Sequence, residues 1–488
     1  MFIAVDLGST NIKAAVYDRH LNCIARRSEP VVYQRANGFV EFDADGYVDS
    51  LFSMIAGLSK DPAVNPSEIK QISFTGQAES LVVLNGSGAP LLNAVSWMDE
   101  RSAEECAIIE KEFSHEECEA VTGQLAVLPT WPATKILWLR RNKPEIFHQA
   151  AKFMLLKDFV VYRFTGKIMA DCSIATFTFY FDIYNKCYWK RMLDFCGVSE
   201  SQLPPLKEPC TVAGALTEDA ARRTGLAERV RVNIGTLDHF AGMIGTGNVK
   251  EGGVSLSTGT VMALAAMAKM PAAKNGGIAM HYGFYPGSYV MLPVAESGGV
   301  CLEWFKRICM KDVSYSDLDN TLRQRKLPSG LLFLPYIVGS NAPEFDLRAS
   351  GVFYGLRAEH DAFDMAYAVM EGVSFLLLKN CETIRARGTD IGYIIATGGG
   401  ARSDLWCRLQ ADITGLPVVI PKEKEAACYG AAIISAVSEG IFHDYEEASR
   451  KAVQTEKRYE PQNGGRFQRK YKQFCALYDS AVRIAQIE

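Results

Sequence analysis

The stretch IGTLDHFAGMIGTG, residues 234–247, sets Asp238 beside His239 among small residues, directly after the apolar RVRVNI and shortly before the Gly/Ser/Thr-rich VSLSTGT. A carboxylate where a strand gives way to a turn faces a cleft, and from there it can orient a hydroxyl and take its proton. A second acid, Asp6, closes the apolar run FIAV and precedes the turn Gly8-Ser9-Thr10, with Lys13 just beyond. Gly at a hairpin turn has an ordinary structural reading. Backbone N–H groups and hydroxyls in such a turn can also cradle a phosphate. An acid at the end of a buried strand costs several kcal/mol unless a cation or donors meet it, which favours a metal-associated role for Asp6.

A second group of residues suits a polyhydroxylated ligand. Gln77 and Glu79 follow the strand-like IKQISFTG, and Trp97 lies in SWMDER. Hydroxyls need bidentate partners and an apolar ring face needs a flat surface, although a tryptophan at a strand end can equally close the core. Trp131 opens the helix-like TWPATK, and helix starts border ligands as well as cores. His239 either contacts a ligand or bonds to backbone at the start of a helix. Gly398-Gly399-Gly400 and Ala401 join a strand to a helix, where glycines allow close approach to a ligand or simply make a turn.

The elements that must position these residues alternate between strand and helix. The opening predicts two strands joined at Gly8–Asn11, then an amphipathic helix over 43–60 and the strand IKQISFTG; from Asp99 to about Leu193 the pattern is largely helical. The aromatic FTFYFDIYNKCYW reads as packing and strand pairing. GGVSLSTGTVMALAAM repeats the strand, turn, strand form of the opening, which implies two related halves. In the second half a long helix over 361–387 carries Glu371, the strand IGYIIAT leads to the glycines, and EAACYGAAIISAV closes the core. Residues 465–486 read as a surface helix.

Composition excludes several classes. At 488 residues the chain exceeds one ordinary core. With 52 basic and 56 acidic residues mixed along its length, it has no signature of a nucleic-acid partner. No apolar run is long enough to span a membrane, so a cytoplasmic protein is expected. The 13 cysteines show no CxxC pair and read as reduced thiols.

Taken in order, these stretches resemble the FGGY carbohydrate kinases of the actin, Hsp70 and sugar kinase superfamily. The most specific is GVFYGLRAEHDAFDMAYAVME, residues 351–371, through Gly351, Gly355, Leu356, Asp364, Ala368 and Glu371. DLGSTNIK, QAE with SWMDER, LDHFAGMIGTG, STGT, TGGGARSD and EAACYGAA accompany it in the family's order. The resemblance implies an α/β fold of two RNase H-like (actin-like ATPase) domains, 1–245 and 246–488. Each would be a mixed sheet flanked by helices, with a cleft between them. It implies a kinase using ATP and Mg²⁺ on a small sugar, with Asp238 as base and Asp6 and Asp238 at the metal. Gly8, Ser9, Thr10, Lys13, Thr258 and Gly259 would meet the phosphates, and Gly399, Gly400 and Ala401 the adenosine. Gln77, Glu79, Trp97, Trp131, Asp238 and His239 would contact the acceptor. A ketopentose such as xylulose leads, ahead of a polyol, a sugar acid of the gluconate type or another hydroxylated metabolite. A non-catalytic nucleotide-dependent sugar-binding or regulatory protein is the alternative class. A homodimer is the default assembly.

Overall fold

The structure, a computed structural model, describes residues 1–487 except 270–276, 326–329, 341, 347 and 463. Two compact units divide the chain: Met1–Val249 with Met280–Tyr289 and Glu425–Val453, and Lys250–Ala279 with Val290–Lys424 and Gln454–Glu488. The chain therefore changes unit repeatedly, where the sequence reading drew one boundary at 245/246.

In the first unit the strand Phe2–Leu7 pairs antiparallel with Asn11–Tyr17 and parallel with Gln71–Gly76, inside a six-stranded mixed sheet. Its apolar residues are buried on both faces, which explains a nearly continuous hydrophobic run rather than an alternating one. Helices Ala44–Ser59 and Leu156–Thr165 cover one face, where Phe52 and Phe164 stack with centroids 4.5 Å apart. Asp43 caps the first of these, its side chain accepting from Asp45 N, as its place before the apolar periodicity predicts.

Helices Asp238–Thr246 and Ala426–Ser438 also pack in this unit, and they cross at backbone contact. A Cβ at Gly245 would fall 2.0 Å from the Ala426 carbonyl oxygen, and one at Gly430 would fall 1.8 Å from that of Ala241. Sequence reading correctly took EAACYGAAIISAV for a tightly packed helix but put it in the second core. It completes the first. Its small residues suit any close-packed partner, so the spacing alone cannot name the partner.

In the second unit Gly252–Thr258 pairs antiparallel with Met262–Ala268 and parallel with Ile391–Gly398, followed by Val418–Pro421 and Thr455–Tyr459. The pattern around Phe2–Leu7 is thus repeated, and each unit is an RNase H-like mixed sheet flanked by helices. The helix Ala362–Ala386 starts with a capping box between Asp361 and Asp364 and lays Gly372 where a Cβ would be 2.2 Å from the Phe333 carbonyl oxygen. The tail helix Gln468–Ala485 is more than a surface feature: Phe474 is fully buried against Phe375, and Lys470 pairs with the buried Glu371. Among the described residues no helix is long and apolar enough to cross a membrane.

The helix crossing separates two neighbouring glycines. Gly242 has open space around its Cβ position, whereas Gly245 does not. Gly242→Ala is expected to stabilise by ~0.5–1 kcal/mol through helix propensity. Gly245→Ala is expected to destabilise by ~1–3 kcal/mol through overpacking. Thermal unfolding of the two variants checks the opposite signs.

Candidate active site

Asp238 begins the helix Asp238–Thr246, and the turn Ile234–Leu237 decides where it stands. Gly235 in that turn has φ of +63°, and a Cβ would fall 1.6 Å from the Phe74 carbonyl oxygen, so only glycine fits. The Ile234 carbonyl accepts from Lys157 Nζ at 2.6 Å, and Lys157 pairs with Asp171 with both side chains fully buried. Thr236 is held on two sides. Its carbonyl accepts from Thr75 Oγ1 at 2.8 Å, and its hydroxyl lies 2.7 Å from that of Ser173, which in turn donates to Asp171. Leu237 bridges to Gly76, which brings Asp238 to the end of the Gln71–Gly76 strand.

Asp6 stands in register with Lys13 on one side and Thr75 on the other. Burial, and next the neighbouring Asp238, push its carboxyl up to about 7 against the pull of Lys13. Asp238 is raised as well, again chiefly by burial, with His239 opposing. Asp6 Oδ1 is buried and accepts no hydrogen bond. Two crowded carboxyls and an orphaned oxygen suit a hard divalent cation, so Mg²⁺ fits this pair. Lys13 is held by Glu425 at 2.5 Å, a partner far away in sequence that pattern reading missed. Beside them the Gly8 carbonyl accepts from Gln77 Nε2 at 3.4 Å, the Ser9 side chain is half-buried, and Thr10 is exposed.

The sugar-type residues divide. Trp97 is 36% exposed and offers a flat surface; its backbone N–H donates to Ser80 Oγ at 3.1 Å. Its loop is pinned by Arg101, which bonds Asp99 at 2.7 Å and lies 3.9 Å over the Phe39 ring. Glu79 adopts φ of +65°, an uncommon conformation for this residue type. Burial raises its carboxyl and lowers the nearby ammonium of Lys135, and their mutual attraction opposes both shifts. Lys135, 1% exposed, donates to the carbonyls of Glu79 at 3.2 Å and Ser96 at 2.8 Å. It was not foreseen, although a lysine on the apolar side of TWPATKILWL was a visible signal. His239 is exposed beside Asp238.

Two residues expected at the acceptor are held by the protein's own contacts. Trp131 is 5% exposed, donates Nε1–H to the Ala126 carbonyl at 3.1 Å and stacks on Phe179, so it packs and presents no sugar surface. Gln77 is buried with both ends of its amide engaged, by Gly8 and by Ser80 Oγ at 2.9 Å, so it braces the turn at Gly8.

A cavity of about 640 Å³ lies within the second unit. Thr258, Gly259 and Thr260 line one wall, Gly399 and Gly400 another, and Leu318, Met370 and Trp406 supply apolar surface. Gly398, at φ of +80°, and Gly400 let the triplet lie against Thr258, since a Cβ at Gly398 would be 2.9 Å from the Thr258 carbonyl oxygen. The 258–260 turn is fastened below by Gly299 N donating to the Gly259 carbonyl at 2.8 Å and Val300 N to that of Thr260 at 3.0 Å. Ala401 is not on the cavity wall, because the chain turns there through a single 3₁₀ turn, Gly400–Arg402. The shape and lining suit a nucleoside.

Residues 1–245 match the N-terminal domain, and residues 254–439 the C-terminal domain, of the FGGY family of carbohydrate kinases. The chain belongs to that family. As an FGGY carbohydrate kinase it is a phosphotransferase that uses ATP and acts on a sugar hydroxyl. It is similar to the xylulose kinase of Bacillus subtilis, 29% identical over 482 residues, covering 98% of this chain and 95% of the relative. A ligand-bound xylulose kinase from Lactobacillus acidophilus superposes with a TM-score of 0.91 at 25% identity, covering 99% and 98% of the two chains. A gluconate kinase from the same organism gives 0.92 at 25% identity, covering 100% and 99%.

The raised carboxyl of Asp6 has a cost in the unliganded kinase. The unfolded chain releases that proton near the ordinary value of 3.8 and the folded chain near 7, so stability falls as pH rises between them. Asp6→Asn removes the penalty. It is expected to stabilise the apo-protein by about 1–2 kcal/mol at pH 8 and to leave it unchanged near pH 4. Unfolding midpoints across pH check the sign.

Proposed function

We propose that this FGGY kinase phosphorylates a neutral ketopentose, xylulose foremost, with Asp238 as the base. The observation that carries this reading is the gathering of Asp6, Glu79 and Asp238 in one unit, close enough for each of the first two to feel the third. An acceptor bearing its own carboxylate would meet like charge there, which disfavours a sugar acid. Neutral hydroxyls instead find acceptors, with Trp97 as a surface for the apolar side of the chain. The xylulose kinases among its relatives favour the ketopentose over a polyol.

Phosphoryl transfer goes through a loose transition state, so the residues mainly position and neutralise. Asp238, its carboxyl raised by burial, orients the attacking hydroxyl and takes its proton late. Gly8, Ser9, Thr10 and Lys13 serve the transferred phosphate from the first unit. Thr258, Gly259, Gly399 and Gly400 hold the nucleotide from the second. Asp6 and Asp238 would hold Mg²⁺, which supplies charge neutralisation on the phosphates when bound. A non-catalytic binding protein would have no use for this full set of acids. Thirteen cysteines with no disulfide among the described residues fit a reducing, cytoplasmic setting.

The test is ADP release with Mg·ATP over xylulose, ribulose, xylitol, glycerol and gluconate. A ketopentose is expected to give the highest kcat/KM. Asp238→Asn is expected to lower kcat by about 10²–10⁴ while nucleotide binding persists. Best turnover on gluconate, or an unimpaired variant, would overturn the reading.

A further inference from the structure

The first unit contains a buried imidazole that the scheme above leaves unused. His281 belongs to the strand Met280–Tyr282, which is fastened by Met280 N to the Gly123 carbonyl at 2.9 Å and by Tyr282 N to Thr176 Oγ1 at 3.1 Å. Its ring lies flat on Phe177, with centroids 4.4 Å apart and planes 11° apart, and the residue is 2% exposed. Such a placement fixes both edges of the ring.

The tautomer follows from Gln124. Its Nε2 donates to the Thr176 carbonyl at 3.2 Å, which identifies that atom as the amide nitrogen. The same nitrogen lies 3.3 Å from His281 Nδ1 and therefore donates to it. An accepting Nδ1 leaves the proton of the neutral ring on Nε2. Burial, helped by His239, holds the ring neutral by lowering its pKa to about 3. Among the described residues Nε2 has no protein hydrogen-bond partner, yet it is not sealed in the interior. A positioned donor with no protein acceptor is left for a ligand oxygen.

Two observations tie this edge to the acceptor residues. His239, the neighbour of Asp238, acts electrostatically on His281. The loop leading on from Gln124 ends at Thr130, whose side chain hydrogen-bonds the Glu79 carboxyl. We propose that His281 Nε2–H donates to an oxygen of the acceptor sugar and so helps determine specificity, with Gln124 as a positioning residue that sets the tautomer. This rests on the reading of the first unit as the acceptor-binding unit. A buried donor penalises analogues that lack the matching oxygen far more than an apolar wall would.

His281→Phe keeps the stacked ring and removes the donor. With the acceptor that the wild type turns over best, KM for that acceptor is expected to rise 10- to 100-fold while KM for ATP stays within twofold. His281→Gln, which restores an N–H, recovers part of the loss. Gln124→Met raises the acceptor KM in the wild-type background and adds nothing in the His281→Phe background. An acceptor KM within twofold of wild type in His281→Phe overturns the proposal, and so does an equal rise in both KM values. Should His281→Phe fail to fold, ¹⁵N spectra of the wild-type imidazoles decide: added acceptor shifts the His281 Nε2 resonance, and no shift at saturation overturns the proposal. If the best acceptor is a sugar acid, the ketopentose reading falls, while the His281 comparison is still made on that acceptor.

Discussion

Lys157 and Asp171, two charges without solvent, hold the turn on which Asp238, the carboxylate proposed as base, stands. Taking both out of water is costly, and their attraction offsets that cost only if the remaining donors and acceptors are satisfied. Here Lys157 also bonds the Ile234 carbonyl, while Asp171 accepts from Ser173 and from Ile174 N. The adjacent Asp158, pushed up to about 8 by burial, adds no competing negative charge at neutral pH. The pair thus does for the backbone what a disulfide does elsewhere, and among the described residues no cysteine forms one.

From that anchor the electrostatics run outward in opposing layers. Behind Asp238, Lys157 and Asp171 are paired with each other and with neighbouring donors and acceptors. At Asp238, Asp6 and Glu79 the carboxyls are raised and lack full compensation. Structural networks satisfy themselves, whereas a binding site leaves part of its demand for a ligand. The cavity of the second unit works differently. There glycines bring two backbone turns together on Thr258, and the apolar wall of Leu318, Met370 and Trp406 provides shape.

Much of this was readable in the amino-acid order because it depends on local rules. Glycine turns, the Asp43 cap, buried apolar runs and an acid after a strand each have a signature a few residues long. Family motifs then placed Asp6, Asp238, Thr258 and the glycine triplet. Lys135, Lys157, Glu425 and His281 escaped, since their importance comes from partners in distant segments, and a single lysine or histidine in an apolar stretch does not reveal its partner. Trp131 shows a related limit, since a helix start offers the same pattern whether its aromatic faces a ligand or a core.

The return of Glu425–Val453 to the first unit has a meaning for the order of events on the ribosome. The strand Phe2–Leu7 emerges before the helix Ala426–Ser438 that packs against it and against Asp238–Thr246, and that helix is made only after Val418–Pro421. During synthesis the nascent first unit must keep that apolar surface and its polar lining uncovered while the strands of the second sheet up to Val418–Pro421 are translated. The first unit is therefore finished only after most of the second has been produced, and a chain stalled before residue 453 would carry an incomplete core in the first unit.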